Sequence, residues 1–112
     1  MKVLDVLKAT RSILEKPERW TQGASARNAV GHVVNFADSD AVCWCLSGAI
    51  QKAVYGDIDV LVLDAMNYAF NEIDRTLGYS GILGWNDWPL RTHDEVLELL
   101  DSTIYRLGCE NG

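Results

Sequence analysis

Four stretches of this chain repeat apolar residues at three- and four-residue steps, and that period limits it to packed helices. Val3, Val6, Leu7, Thr10, Ile13 and Leu14 mark one face of a first helix over about residues 2–16. Lys8, Arg11, Glu15 and Lys16 fall opposite, and Pro17 ends it or starts a short extra turn through Glu18-Arg19-Trp20. Val42, Cys45, Leu46, Ala49, Ile50, Ala53 and Val54 mark a second helix over about 39–55, opened by the cap cluster Asp38-Ser39-Asp40. Gly56-Asp57-Ile58-Asp59 breaks and recaps the chain. A third, central helix then runs over about 58–77, with Leu61, Ala65, Tyr68, Ala69, Ile73 and Leu77 in one stripe and Val62, Met66 and Phe70 extending it sideways. A fourth, over about 92–107, carries Val96, Leu97, Leu100, Thr103, Ile104 and Leu107. Gly108 closes it, and residues 109–112 are expected to fray.

Between the first two helices the character changes. Thr21 to Asn28 is small and polar, Asn28 to Gly31 reads as a turn, and His32-Val33-Val34-Asn35-Phe36 favours strand. A hairpin pairing about 23–27 with 32–36, or an irregular flap, is expected to lie on the helices, since two strands do not stand alone. The fold class is therefore mainly α: a four-helix, bundle-like single domain, residues 1–112, with a small β-hairpin or flap inserted between helices one and two. Gly48 costs roughly 1 kcal/mol in a helix interior against alanine, so a close neighbour is expected there, another helix or Trp44.

Residues 84–100 concentrate the residue-specific information. Thr92-His93-Asp94-Glu95 is a capping box, and Pro89 takes Trp88 out of helix. Ahead of it stand Trp85, Asn86, Asp87 and Arg91. Asn86 and Asp87 favour turns by bonding nearby backbone, and each tryptophan pairs a large apolar area with an N–H that needs a partner. One reading makes this corner architecture that fastens the last helix. The other makes it a ligand site built from Trp44, Trp85, Asn86, Asp87, Arg91, His93 and Arg27, with Asp87 as base, His93 as acid or base, Arg91 as anion clamp and Asn86 as orienter. The architectural reading is preferred.

Sixteen acidic against ten basic residues leave a net charge of −6, which is poorly suited to holding phosphate backbones, so nucleic acid is not an expected partner. Three cysteines cannot form a complete intramolecular framework. Cys43 and Cys45, two apart on the second predicted helix, face different ways. No base stands at an evident spacing to activate either, and reduced thiols in a cytoplasmic setting are expected. No Cys/His/acid cluster has metal-ligand spacing, His32 included, and no cofactor is implied. The glycine-rich Gly78–Gly84 segment lacks the phosphate-loop pattern. No apolar run approaches the roughly 18 residues of a membrane span, and Asp5 interrupts any signal-like start.

Trp20-Thr21-Gln22-Gly23-Ala24-Ser25-Ala26-Arg27, then Ala41 to Ile50 with Trp44-Cys45-Leu46-Ser47-Gly48, then Trp85-Asn86-Asp87 and Arg91-Thr92 with Glu95-Val96, together resemble a family of small bacterial and phage proteins of unknown function. The resemblance covers most of the chain. It implies one domain and a bacterial or phage setting, and carries over no functional residue. The three segments are expected to meet in one corner. The function expected first is a non-enzymatic interaction or accessory module, its partner another protein or a second copy of itself. The alternative is a small-molecule binder or hydrolase using the Trp85–Arg91 corner.

Overall fold

The computed structural model describes residues 2–56 and 60–111. Among the described residues five helices surround one core: α1 (Val3–Ile13), α2 (Leu46–Val54), α3 (Val60–Leu77), α4 (Ile82–Asp87) and α5 (His93–Asn111). Three strands follow α1: β1 (Ala26–Asn28), β2 (Val33–Val34) and β3 (Ala41–Trp44). The mainly helical class with a small sheet after the first helix is what the sequence pattern requires. The recap at Asp57 to Asp59 and the expected start of the third helix lie outside the described residues.

α1 buries the expected face. Val6, Leu7, Thr10 and Leu14 are inaccessible, and the Thr10 hydroxyl returns to the Val6 carbonyl at 2.8 Å. The helix ends at Ile13, short of 16, and Pro17–Arg19 forms a single 3₁₀ turn. α5 packs Val96, Leu100, Thr103 and Leu107 inward and runs on through Gly108 to Asn111, so Gly108 does not close it. In α3 the buried line is Val62, Ala65, Ala69 and Ile73. Leu61 and Tyr68, placed by the sequence pattern on the core stripe, are 73% and 60% exposed. The helix is turned slightly from the expected setting, and Val62 is brought in instead of Leu61.

The largest correction concerns the second helix. It begins at Leu46 rather than 39, because residues 41–44 form β3. Asp38 makes a turn instead of a helix cap: its Oδ1 accepts the Asp40 N–H at 2.8 Å and its carbonyl accepts the Ala41 N–H at 3.0 Å. β3 then pairs antiparallel with β1, giving strand order β2-β1-β3. The hairpin is shorter than expected, with Ala26 opposite Val34 and Arg27 opposite Val33. Ala26 and Trp44 face the core, whereas Val42 and Val33 are exposed.

Gly48 has the close neighbour its position demands, from a different source than expected. The backbone of Ser25 crosses α2 there, so that a β-carbon on residue 48 would stand 2.1 Å from the Ser25 carbonyl oxygen. This crossing lays the flap directly on the first turn of α2. Among the described residues no helix is long and apolar enough to cross a membrane.

Candidate functional site

Asn86 is the junction of the polar-aromatic corner. It is fully buried on α4, and every polar atom of its side chain is engaged. Oδ1 accepts the Trp20 indole N–H at 2.8 Å and the Leu46 backbone N–H at 3.1 Å. Nδ2 donates to the Thr21 carbonyl at 3.2 Å and to Asp87 Oδ1 at 2.9 Å. A primary amide offers two donors and two acceptor sites, so this one is saturated. Both groups facing Oδ1 can only donate, which fixes that atom as the oxygen.

The neighbouring bonds close the same seam. Gln22 Nε2 donates to the carbonyls of Asn86 and Trp88, each at 2.8 Å. The Gly23 N–H donates to Asp87 Oδ1 at 3.0 Å. The Trp20–Arg27, Trp44–Gly48 and Trp85–Arg91 segments do meet, and they meet at Asn86. Trp20 and Gln22 were not among the residues singled out from the sequence. The signal for them was present: two large polar-tipped side chains two apart in an extended segment point to the same side.

The first turn of α2 is closed by these groups as well. Its Leu46 N–H goes to Asn86, and the Gly48 N–H goes to Cys45 Sγ at 3.3 Å. Cys45 is therefore the N-cap of α2, not a mid-helix residue as expected. Burial pushes its thiol pKa up and the Asp87 charge adds to this, against the pull of the Gly48 and Ser47 N–H groups. A buried thiol held protonated is a poor nucleophile.

Arg91 lies between the tryptophans. Its guanidinium carbon is 4.0 Å from the Trp85 ring centre and 5.0 Å from that of Trp88. Nε donates to the Trp85 carbonyl at 2.9 Å and Nη1 pairs with Glu95 at 3.2 Å, leaving the side chain 13% exposed. The capping box forms as the sequence predicts: the Thr92 N–H donates to Glu95 Oε1 at 2.9 Å, and the Glu95 N–H to the Thr92 hydroxyl at 3.2 Å. The Thr92 N–H, helped by the Thr92 hydroxyl and Arg91, lowers the Glu95 pKa.

The other candidates look elsewhere. His93 Nε2 stands 2.6 Å from the Leu14 carbonyl, which can only accept, so Nε2 carries the proton and ties the start of α5 to the end of α1. Its ring is 6.5 Å from that of Trp20. Arg27 donates to the Thr21 hydroxyl and to the carbonyls of Gln22 and Gly31. The Trp44 indole donates to the Phe36 carbonyl at 3.0 Å. Trp85, Asn86 and Asp87 thus lie on α4 with Arg91 folded back against Trp85 from the segment after it, His93 approaches them through Trp20, and Arg27 and Trp44 hold the flap.

One cleft opens against this seam and another on the flap. One, of about 330 Å³, lies between the Gly23–Ser25 loop, Cys45, Ser47 and Gln51 of the α2 region, and Leu83 and Asp87 of α4. The other, of about 400 Å³, lies on the flap between Asn28, Ala29, Val30, Ser39, Asp40 and Val42. Among the described residues no three His, Cys, Asp or Glu side chains group closely enough to hold a metal ion.

Fold and corner together define a small helical domain whose flap is fastened to two helices through one saturated asparagine. The chain belongs to a family of unknown function, DUF6197, whose model matches residues 1–106. No curated protein and no solved structure matches it.

Proposed function

We propose that this chain is a non-catalytic protein-interaction module, accessory to a bacterial or phage process in the cytoplasm, and that it docks a partner protein on the flap. The observation that carries the reading is the cleft shared by Val30 and Val42, which are 74% and 45% exposed. Branched apolar side chains left open on a strand and the neighbouring turn suit contact with another protein. The partner is one that offers an apolar side chain beside lysine or arginine. Asp40 lines the cleft with Asp38 next to it, no basic residue lines it, and the chain as a whole carries −6. The same charge argues against nucleic acid as the partner. The hydrolase alternative loses support from the seam, where Asn86, Arg91 and His93 are bonded to the protein itself. The three free cysteines suit a reducing compartment.

The test is site-specific photo-crosslinking in the cells that make the protein, with the reactive residue at position 42 and, as a control, at exposed position 8. A discrete adduct at 42 only, lost on Asp38→Lys/Asp40→Lys, is the expected result. An adduct of twice the chain mass makes the partner a second copy and overturns the basic-partner reading. Equal labelling at both positions, or none, overturns the interaction reading itself.

A further inference from the structure

We infer that the cleft between the Gly23–Ser25 loop, α2 and α4 is a binding site for a small aliphatic ammonium ion. Its anchor is Asp87. Oδ1 of that carboxylate is held by the Asn86 side-chain N–H at 2.9 Å and the Gly23 N–H at 3.0 Å. Two donors on one oxygen fix the carboxylate plane, and Oδ2 accepts no hydrogen bond among the described residues. Gln51 adds a second acceptor to the same cleft. Its Nε2 is turned to the Ser47 carbonyl at 3.4 Å and the Ser47 hydroxyl at 3.2 Å, which leaves its Oε1 open.

The lining contains one carboxylate and no lysine, arginine or histidine. That lining favours a cation rich in N–H donors over an anion, since the Arg27 guanidinium beside Gly23 is turned to the Thr21 hydroxyl and the Gln22 and Gly31 carbonyls. Leu83 and Ala24 form the apolar part of the wall. They favour an alkyl stem over a hydrated metal ion, which would need oxygen ligands all round. A volume of about 330 Å³ is at the small end of ligand sites. The inference is independent of the flap reading, since the two clefts share no residue.

The experiment is a titration of the ¹⁵N-labelled chain with butylamine, followed by amide shifts, with butanol and butyrate as neutral and anionic counterparts. Butylamine should saturate at millimolar concentration and move the amides of Gly23, Ser47 and Asp87. Butanol and butyrate should not. Asp87→Asn keeps an oxygen for Gly23 and should weaken binding about tenfold. Leu83→Trp, at an exposed position, should block it while leaving the fold intact, and it decides the matter if Asp87→Asn unfolds. Shifts that do not saturate, that spread to carboxylates outside the cleft, or that survive both substitutions overturn the site.

Discussion

Asn86 and Trp20, sixty-six residues apart, share a 2.8 Å hydrogen bond, and the same Asn86 oxygen accepts the first N–H of α2. Asn86→Ala leaves that N–H, the indole N–H and the Thr21 carbonyl without partners at one stroke. Each buried orphan costs about 1–3 kcal/mol, so the variant should lose about 3 kcal/mol or more of unfolding free energy. Urea denaturation measures this, and a loss below about 1 kcal/mol would show that the seam is not structural.

Gly48→Ala places a β-carbon 2.1 Å from the Ser25 carbonyl, an atom of backbone that cannot step aside alone. We expect a loss of at least about 3 kcal/mol. Gly84→Ala in α4 is the internal comparison. Nothing lies within 4 Å of its added carbon, so helix propensity should make it neutral or stabilising by up to about 1 kcal/mol. Equal melting temperatures for the two variants would refute the contrast.

Arg91→Lys keeps the charge and loses the flat contact with Trp85 and Trp88 as well as the Nε bond to the Trp85 carbonyl. A cost of about 1–2 kcal/mol is expected. Trp85 and Trp88 should also become more mobile, lowering tryptophan fluorescence anisotropy. A variant with wild-type stability and anisotropy would mean that only the charge matters.

Glu72 tests the polar contact between α3 and α5. Burial works against its charged form, but Arg106 at 2.8 Å and Arg75 at 3.0 Å outweigh it and hold its pKa below the ordinary glutamate value. A depressed carboxylate contributes stability above its unfolded pKa and loses it as pH falls through the folded one. Glu72→Gln should therefore cost about 1 kcal/mol at pH 7, discounted for the exposure of Arg75. The gap from wild type should close as pH falls below about 4. A gap that stays constant down to pH 2 would exclude the charge as its source.

What was legible in the sequence was local. The capping box at Thr92 and Glu95 needs only residues three apart, and the α1 face needs only its own period. β3 was missed because Ala41-Val42-Cys43-Trp44, followed by Leu46 and Ala49, satisfies a helical period as readily as a strand, and the Asp38 cluster signals a turn and a cap alike. The α3 stripe was set one position off, since Leu61 and Val62 are equally apolar and only the packing chooses between them. The seam was half legible. Asn86 and Asp87 stood out by type, but the partners that give Asn86 its role lie 40, 65 and 66 residues away. Pairings at that range leave no periodic trace.

α2 has nine residues, fewer than a helix needs to persist by itself in water. Its opening N–H is closed by a side chain from α4, and Ser25 must already lie across Gly48. During synthesis the ribosome releases α2 well before residue 86 emerges, so the N-terminal half is exported from the tunnel as an unfinished structure. The native closure of α2 therefore waits on Asn86, which must reach back to Leu46, Trp20 and Thr21 together.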